Sequence, residues 1–443
     1  MQREIPEKNA WCRNLFGKSP SSSNALKKVR SFLHILPVFL LIGWSIQGTR
    51  GTWHAIRCPE DPAVQTLLGR GDNADAAGIL RGVRKKRTFL ATFTWWKSNW
   101  CHEAYPYYRP LTSQLFWLQY RLFGEDLPLW TLTGAVLHVV TVVTAYLTFS
   151  VLTGSRWIAF IATAVFGGPP FSLWTVRLTY EGFTLAPIWT IGGPQLASVS
   201  LWINEPEYWC AITLFLGMVA LNARRYFATL LCLILCIGAK ELGLLFLPAM
   251  VIVAWYRRVR APLWFWIAGV LLTMLLFVIR FLFVTRTMGL EVINPGAAWR
   301  ALVYYTGVLG VSVGNRDWQT LLLTTLLLLI WWGAKKLRGS VLVAIPIFLL
   351  LAVMAWMNFI VWNWAPVVIA LLPFFFFVLW RYYRREAVFF AAEAVLFSAP
   401  LYLRHVGPHA WYVADIFKTG LFAVAVTASF QHVRRAMAKC DLG

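Results

Sequence analysis

Twelve apolar runs, separated by short clusters of arginine and lysine, constrain this chain more than any other feature. They cover Phe32–Gln47 and then, approximately, 129–150, 156–171, 207–222, 226–239, 241–255, 262–284, 318–334, 340–356, 362–380, 386–403 and 411–430. A run of this kind needs about 20 residues to cross the hydrocarbon of a bilayer as a helix. With 59% hydrophobic residues, 25 Trp and 31 Phe, no water-soluble domain could hide the apolar surface. The expected fold class is therefore an all-α polytopic membrane protein of about twelve transmembrane helices. The runs 226–239 and 241–255 are short for spans and suit tilted or paired half-length helices.

The formal charge of +22 would suggest nucleic acid in a soluble protein. Here the basic residues lie between apolar runs, where they set membrane orientation. No nucleic-acid module is recognisable, so no nucleic-acid partner is expected. Arg156, Arg224-Arg225, Arg257-Arg258-Arg260, Lys335-Lys336-Arg338, Arg381/Arg384/Arg385 and Arg434-Arg435 all fall on the side of Lys27-Lys28. That places both termini in the cytoplasm, with residues 1–31 and 431–443 as polar tails and 32–430 as the membrane domain. The segments 186–203 and 299–314 are then outer-face interfacial or re-entrant helices, because counting either alone as a span breaks the charge alternation. The seven cysteines show neither metal spacing nor a disulfide framework. Cys232 and Cys236, one helical turn apart, suit packing.

The long loop 48–128 is the main polar segment and lies outside by this topology. It carries Glu60-Asp61, the Gly71-Asp72-Asn73-Ala74-Asp75 segment, a basic run from Arg81 to Arg87 and a tryptophan group. It ends in His102–Gly124, where Leu111, Leu115, Leu118 and Leu122 form one stripe of a helix. This segment reads either as a helix lying in the membrane interface with Arg109 at its entrance, or as a surface helix packed on neighbouring spans. The outer face further holds Glu181, Lys240, Glu241, Arg280 and His409, and His138 lies inside the second run. Ionisable groups at membrane depth usually face a cavity or one another. Arginine forks suit a lipid phosphate, and a carboxylate can take a proton from an acceptor hydroxyl. Each has a plainer reading. Lys240 and Glu241 could be a local ion pair, His138 a packing histidine, and Asp72 and Asp75 a solvated turn. His405 and His409 could ligate a metal, but lack a third ligand.

Tyr107-Tyr108-Arg109-Pro110-Leu111, Tyr120-Arg121-Leu122-Phe123-Gly124 and His138 together resemble a pattern of bacterial membrane glycosyltransferases of the GT-C type, relatives of the protein O-mannosyltransferases. Ala239-Lys240-Glu241-Leu242-Gly243 with Pro248 is similar to the family's KE segment. Pro408-His409-Ala410-Trp411-Tyr412-Val413 is similar to its late motif. The resemblance implies a GT-C-like domain and transfer of a sugar from a polyprenyl-phosphate lipid to a hydroxyl of an acceptor protein or glycan. It makes Asp72 and Asp75 the catalytic carboxylates, with Glu60-Asp61 as competitors. Arg109, Tyr108, His138, Glu181, Lys240, Glu241, Arg280 and His409 are then substrate-binding residues. A divalent cation, Mg or Mn, is the candidate cofactor, and the location implied is the bacterial inner membrane. The chain departs from the family pattern: its acidic pair is split and lies further from the first span, and the soluble repeat domain of many relatives is not expected after the twelfth run. Those departures fit a second reading, an inactive GT-C-like subunit that works as a scaffold with other membrane subunits in the phospholipid bilayer. A transporter would need inverted repeats, and no internal repeat is evident.

Overall fold

The structure is a computed structural model, and it describes residues 23–49, 74–102, 107–167, 171–179, 182–191, 205–283, 381–402 and 412–440. The described residues are mostly helical, with one hairpin and short connecting loops. The elements are α1 (Ser23–Gly48), α2 (Ala74–Arg84), α3 (Phe89–Thr92), a 3-10 turn (Phe93–Lys97), α4 (Pro110–Phe123), α5 (Leu127–Thr153), α6 (Arg156–Gly167), β1 (Phe171–Thr179) and β2 (Gly182–Ile191). They continue with α7 (Glu205–Asn222), α8 (Tyr226–Ala239), a second 3-10 turn (Glu241–Leu245), α9 (Phe246–Arg257), α10 (Leu263–Phe283), α11 (Arg384–Tyr402) and α12 (Tyr412–Cys440). The chain forms two compact units, Met1–Leu40 and Leu41–Gly443. In the first, the described part is the beginning of α1; apart from that helix, everything below concerns the second.

Three described helices are long and apolar enough to cross a membrane: Pro128–Thr153, Leu263–Leu282 and Tyr412–His432. Shorter apolar helices cover Ile35–Gln47, Arg156–Gly167 and Tyr226–Ala239. The runs expected at 318–334, 340–356 and 362–380 lie outside the described residues, as does 299–314. One expectation is corrected. Residues 186–191, read as the start of an outer-face helix, belong to β2, which pairs antiparallel with β1 from Phe171↔Ile191 to Thr179↔Gly182.

Local chemistry fixes the helix ends. Asp126 caps α5, its carboxylate accepting the Leu129 N–H, and Pro128 sits in the first turn, where its missing N–H costs nothing. Gly154 ends α5 in the left-handed region at φ 68°, a conformation without penalty for glycine. Helix α7 packs on α5 and α8, α6 on α5 and α12, and α11 on α12. Aromatic rings fill the centre, where Phe149 meets Phe215 and Phe390 edge-to-face and Phe417 at a tilt. Cys236 packs against Cys210 across the α7–α8 contact, with sulfurs 3.6 Å apart. Helix α10 differs: only 17% of its most apolar stretch is buried, so most of its apolar side chains, though not Phe265 and Leu276, face away from the protein.

Helices α8 and α9 are short, with 14 and 12 residues. At 1.5 Å per residue they reach about 21 and 18 Å, short of the roughly 30 Å hydrocarbon layer. The chain breaks between them at Lys240, which is extended (φ −157°, ψ 154°), before the second 3-10 turn. Gly243 lets that turn fold back, since a side chain there would overlap the Cys236 carbonyl.

The described part of the long loop forms a tryptophan-rich layer. Ile79, Val83, Trp95, Trp100, Cys101, Phe116, Trp117 and Trp130 make one buried cluster. Helix α4 is turned opposite to a soluble amphipathic helix. Its polar residues Thr112, Ser113, Gln114 and Gln119 are buried against protein, while Leu118 and Leu122 of the leucine stripe are 46% and 66% exposed. That orientation suits a helix with lipid on its open side.

Candidate functional site

The polar face of α4 lies over the break between α8 and α9, and Arg109, Lys240, Glu207 and Glu241 gather there. Arg109 precedes α4, outside the helical turn, so its side chain swings off the helix start. Its Nε donates to Glu241 Oε2 at 3.1 Å, and its Nη2 lies at the same distance in an ion pair with that oxygen. The guanidinium packs over two adjoining rings, 4.3 Å from the Tyr107 centroid and 4.8 Å from that of Trp100. Arginine suits this slot because its flat, weakly hydrated cation stacks on aromatic faces. Burial works against the Arg109 charge, but Glu241 and then Glu207 outweigh it and hold its pKa above the ordinary arginine value.

A second pair lies beside the first. Lys240 Nζ binds Glu207 Oε1, with the two side chains only 7% and 3% exposed. Glu207 and Glu205 occupy the first turn of α7, where the helix dipole favours acids. Lys240 follows the last turn of α8, where it favours cations. Glu205 is fully buried and accepts a hydrogen bond from Gln119 Nε2 at 2.5 Å. Thr112 Oγ1 donates to the Ala239 carbonyl at 2.8 Å, so α4 also caps the end of α8. Arg280, near the end of α10, lies within electrostatic reach of Glu241. Three acceptor atoms, Glu205 Oε1, Gln119 Oε1 and Glu241 Oε1, are buried with no partner among the described residues. The arrangement is thus a compensated cluster of cations and carboxylates with spare acceptor capacity.

His138 lies elsewhere, inside α5. Its Nδ1 is 2.8 Å from the Tyr412 hydroxyl and its Nε2 is 3.4 Å from the Gly167 carbonyl. The carbonyl can only accept, which puts the proton on Nε2 and makes Tyr412 donate to Nδ1. The rings of Phe166, Tyr208 and Tyr412 surround this histidine. Tyr208 follows Glu207 by one residue, so α7 carries both the charge cluster and the ring cluster.

Of the residues singled out in the sequence, the structure brings together Arg109, Lys240, Glu241 and Arg280. Tyr108 is placed differently from its expected role. It is buried, and its hydroxyl donates to the Trp96 carbonyl at 3.2 Å, leaving Tyr107 as the ring that faces Arg109. Asp75 is the second residue of α2. Asp72, Glu60, Asp61, Glu181, His405 and His409 lie outside the described residues. Glu205, Glu207 and Gln119 were missed. The signal for the acids was present in Glu205-Pro206-Glu207, two carboxylates bordering an apolar run. Among the described residues, no group of three His, Cys, Asp or Glu is placed to hold a metal ion. Comparison with known proteins gives no relative: no family model, no curated protein and no solved structure matches this chain.

Proposed function

We propose that this chain is an integral-membrane glycosyltransferase that moves a sugar from a polyprenyl-phosphate donor to an acceptor hydroxyl. One observation carries the reading. The motif residues that resemble the GT-C pattern, far apart in sequence, meet in pairs: Arg109 with Glu241, and His138 with Tyr412. In this proposal twelve helices span a bacterial inner membrane, both termini are cytoplasmic, and the charge cluster faces outward.

The chemistry follows from the residues. A lipid phosphate arriving beside α4 competes with Glu241 for the Arg109 fork, and a phosphate matches that fork in two-point geometry. Lys240 and Arg280 add positive charge nearby. Asp72 or Asp75 takes the proton of the acceptor hydroxyl. The acceptor oxygen forms a bond to the anomeric carbon as the bond from that carbon to the phosphate oxygen breaks. The lipid phosphate leaves with the electron pair, its charge stabilised by Arg109. The acceptor is a protein or a glycan.

The second reading is a non-catalytic subunit of a larger membrane complex. The buried Lys240–Glu207 pair favours it, because that part of the cluster is complete without a ligand. The deciding experiment uses the full chain in lipid nanodiscs with a panel of polyprenyl-phosphate sugars, following release of lipid phosphate by mass spectrometry. Turnover that collapses in Arg109→Gln and in one of Asp72→Asn or Asp75→Asn, with the fold retained, supports the transferase. Absence of turnover and of bound lipid across the panel selects the scaffold.

A further inference from the structure

Far from the charge cluster, two helix-connecting turns pack together and carry arginines with no acid among them. The first is Asn222-Ala223-Arg224-Arg225-Tyr226-Phe227, between α7 and α8; the second is Tyr256-Arg257-Arg258-Val259-Arg260, after α9. The Tyr226 hydroxyl donates to the Arg260 carbonyl at 3.4 Å, and Arg257 Nε donates to Asn222 Oδ1 at 2.9 Å, which ties the turns to each other. Arg224, Arg225, Arg258 and Arg260 are exposed.

The backbone makes these arginines unusual. Among the described residues only two non-glycine residues have positive φ, Arg224 at 58° and Arg258 at 56°. Both end a helix in the same way. Arg225 N donates to the Ala220 carbonyl and Val259 N to the Ala254 carbonyl, the six-to-one bond of a turn whose left-handed residue is ordinarily glycine. Glycine does fill that position at Gly154. An arginine there costs backbone energy, and such outliers persist where a site needs the side chain. Beside the arginines lies an exposed aromatic pair. Phe227, 80% exposed, and Trp264, 43% exposed, have ring centroids 5.3 Å apart. Trp264 opens α10, the helix whose apolar side chains face outward.

The geometry points to a binding site for the headgroup of an anionic phospholipid, formed by Arg224, Arg225, Arg258 and Arg260, with the upper acyl chain lying on Phe227 and Trp264. The arginine forks take the phosphodiester oxygens, and the aromatic pair belongs at the level where headgroup meets hydrocarbon. A lipid rather than a free anion is the occupant, because charge and apolar contact adjoin on one surface.

The test uses the full chain, reconstituted in mixed phosphatidylglycerol and phosphatidylcholine, extracted and weighed by native mass spectrometry. The ratio of the two lipids retained is the readout. The quadruple variant Arg224→Gly, Arg225→Gln, Arg258→Gly and Arg260→Gln keeps both caps in the form glycine favours, so the fold is preserved. Retained phosphatidylglycerol relative to phosphatidylcholine falls roughly tenfold. The pair Arg434→Gln and Arg435→Gln, on α12, leaves the ratio unchanged. Three results overturn the site: an unchanged ratio in the quadruple variant, an equal fall in the α12 pair, or displacement of the lipid by inorganic phosphate alone.

Discussion

At the break between α8 and α9, Arg109 and Lys240 are largely withdrawn from solvent and each meets a carboxylate; at the turns after α7 and α9, Arg224, Arg225, Arg258 and Arg260 stand exposed in sequence that contains no acid. The same chemical group is thus used in two regimes. A buried cation loses several kcal/mol of hydration and must have a partner in protein, so its position is dictated by packing. An exposed cation keeps its hydration, and its position is set by what it meets outside. The number of charges tells little; their burial decides which are structural commitments and which are contacts available to a ligand.

The largest effect that would break this contrast is at the buried pair. Lys240→Met leaves Glu207 without its partner and is expected to lose about 3–5 kcal/mol. Adding Glu207→Leu should recover most of that, since an apolar pair of similar volume avoids the desolvation cost. Thermal unfolding in nanodiscs measures both, and a double variant as unstable as the single one would show that the pair is not the source. Cys101 reports the same event chemically. Burial pushes its thiol up to about 12, so alkylation at mildly alkaline pH should be slow in the native chain. Mass-mapped alkylation that is faster in Lys240→Met would show the tryptophan-rich layer loosening with the pair.

Arg109 sharpens the comparison next. Arg109→Lys keeps the charge but loses the fork and much of the stacking on Trp100 and Tyr107, an expected loss of about 1 kcal/mol. Arg109→Gln leaves Glu241 uncompensated and should cost more. Equal effects from both would show that the charge is irrelevant there. At the exposed end the sign reverses. Arg224→Gly and Arg258→Gly, each alone, should stabilise the fold by about 1 kcal/mol, because glycine adopts the left-handed conformation freely. Destabilisation would mean that these arginines make contacts essential to the fold. The smallest effect belongs to the leucine stripe. Leu118→Ala and Leu122→Ala remove side chains with little protein around them and should change stability by no more than about 0.5 kcal/mol. A loss of about 2 kcal/mol or more would place protein rather than lipid on that face.

The period of α4 was legible in the sequence, and the helix is there, but its orientation was not. Periodicity separates a polar from an apolar face without saying which solvent lies beyond each. In water the leucines of α4 would turn inward; here Thr112 and Gln119 do, because the end of α8 offers a carbonyl and the start of α7 a carboxylate to bind. The short runs at 226–239 and 241–255 left tilted or half-length helices open, and α8 and α9 are short helices of 14 and 12 residues. For the site, the sequence named Arg109, Lys240, Glu241 and Arg280 through the cost of charge in an apolar run. It did not reveal that Arg109 binds Glu241 across 132 positions, because partner choice depends on which helices become neighbours. Glu205 and Glu207 escaped notice for a related reason. They sit at the first turn of an apolar run, where acids also serve as ordinary helix-start residues.

Helix α4 and the residue before it tie the α8–α9 junction to the start of α7, through Arg109 on Glu241, Thr112 on the Ala239 carbonyl and Gln119 on Glu205. Thr112 and Gln119 lie about 10 Å apart along one rigid rod, and Arg109 is fixed at its start. A push on the leucine side of that rod therefore cannot be absorbed locally. It must either be resisted by all three bonds or strain them in concert, so α4 is mechanically a latch across the junction, and the force that opens it at one end is felt at the other.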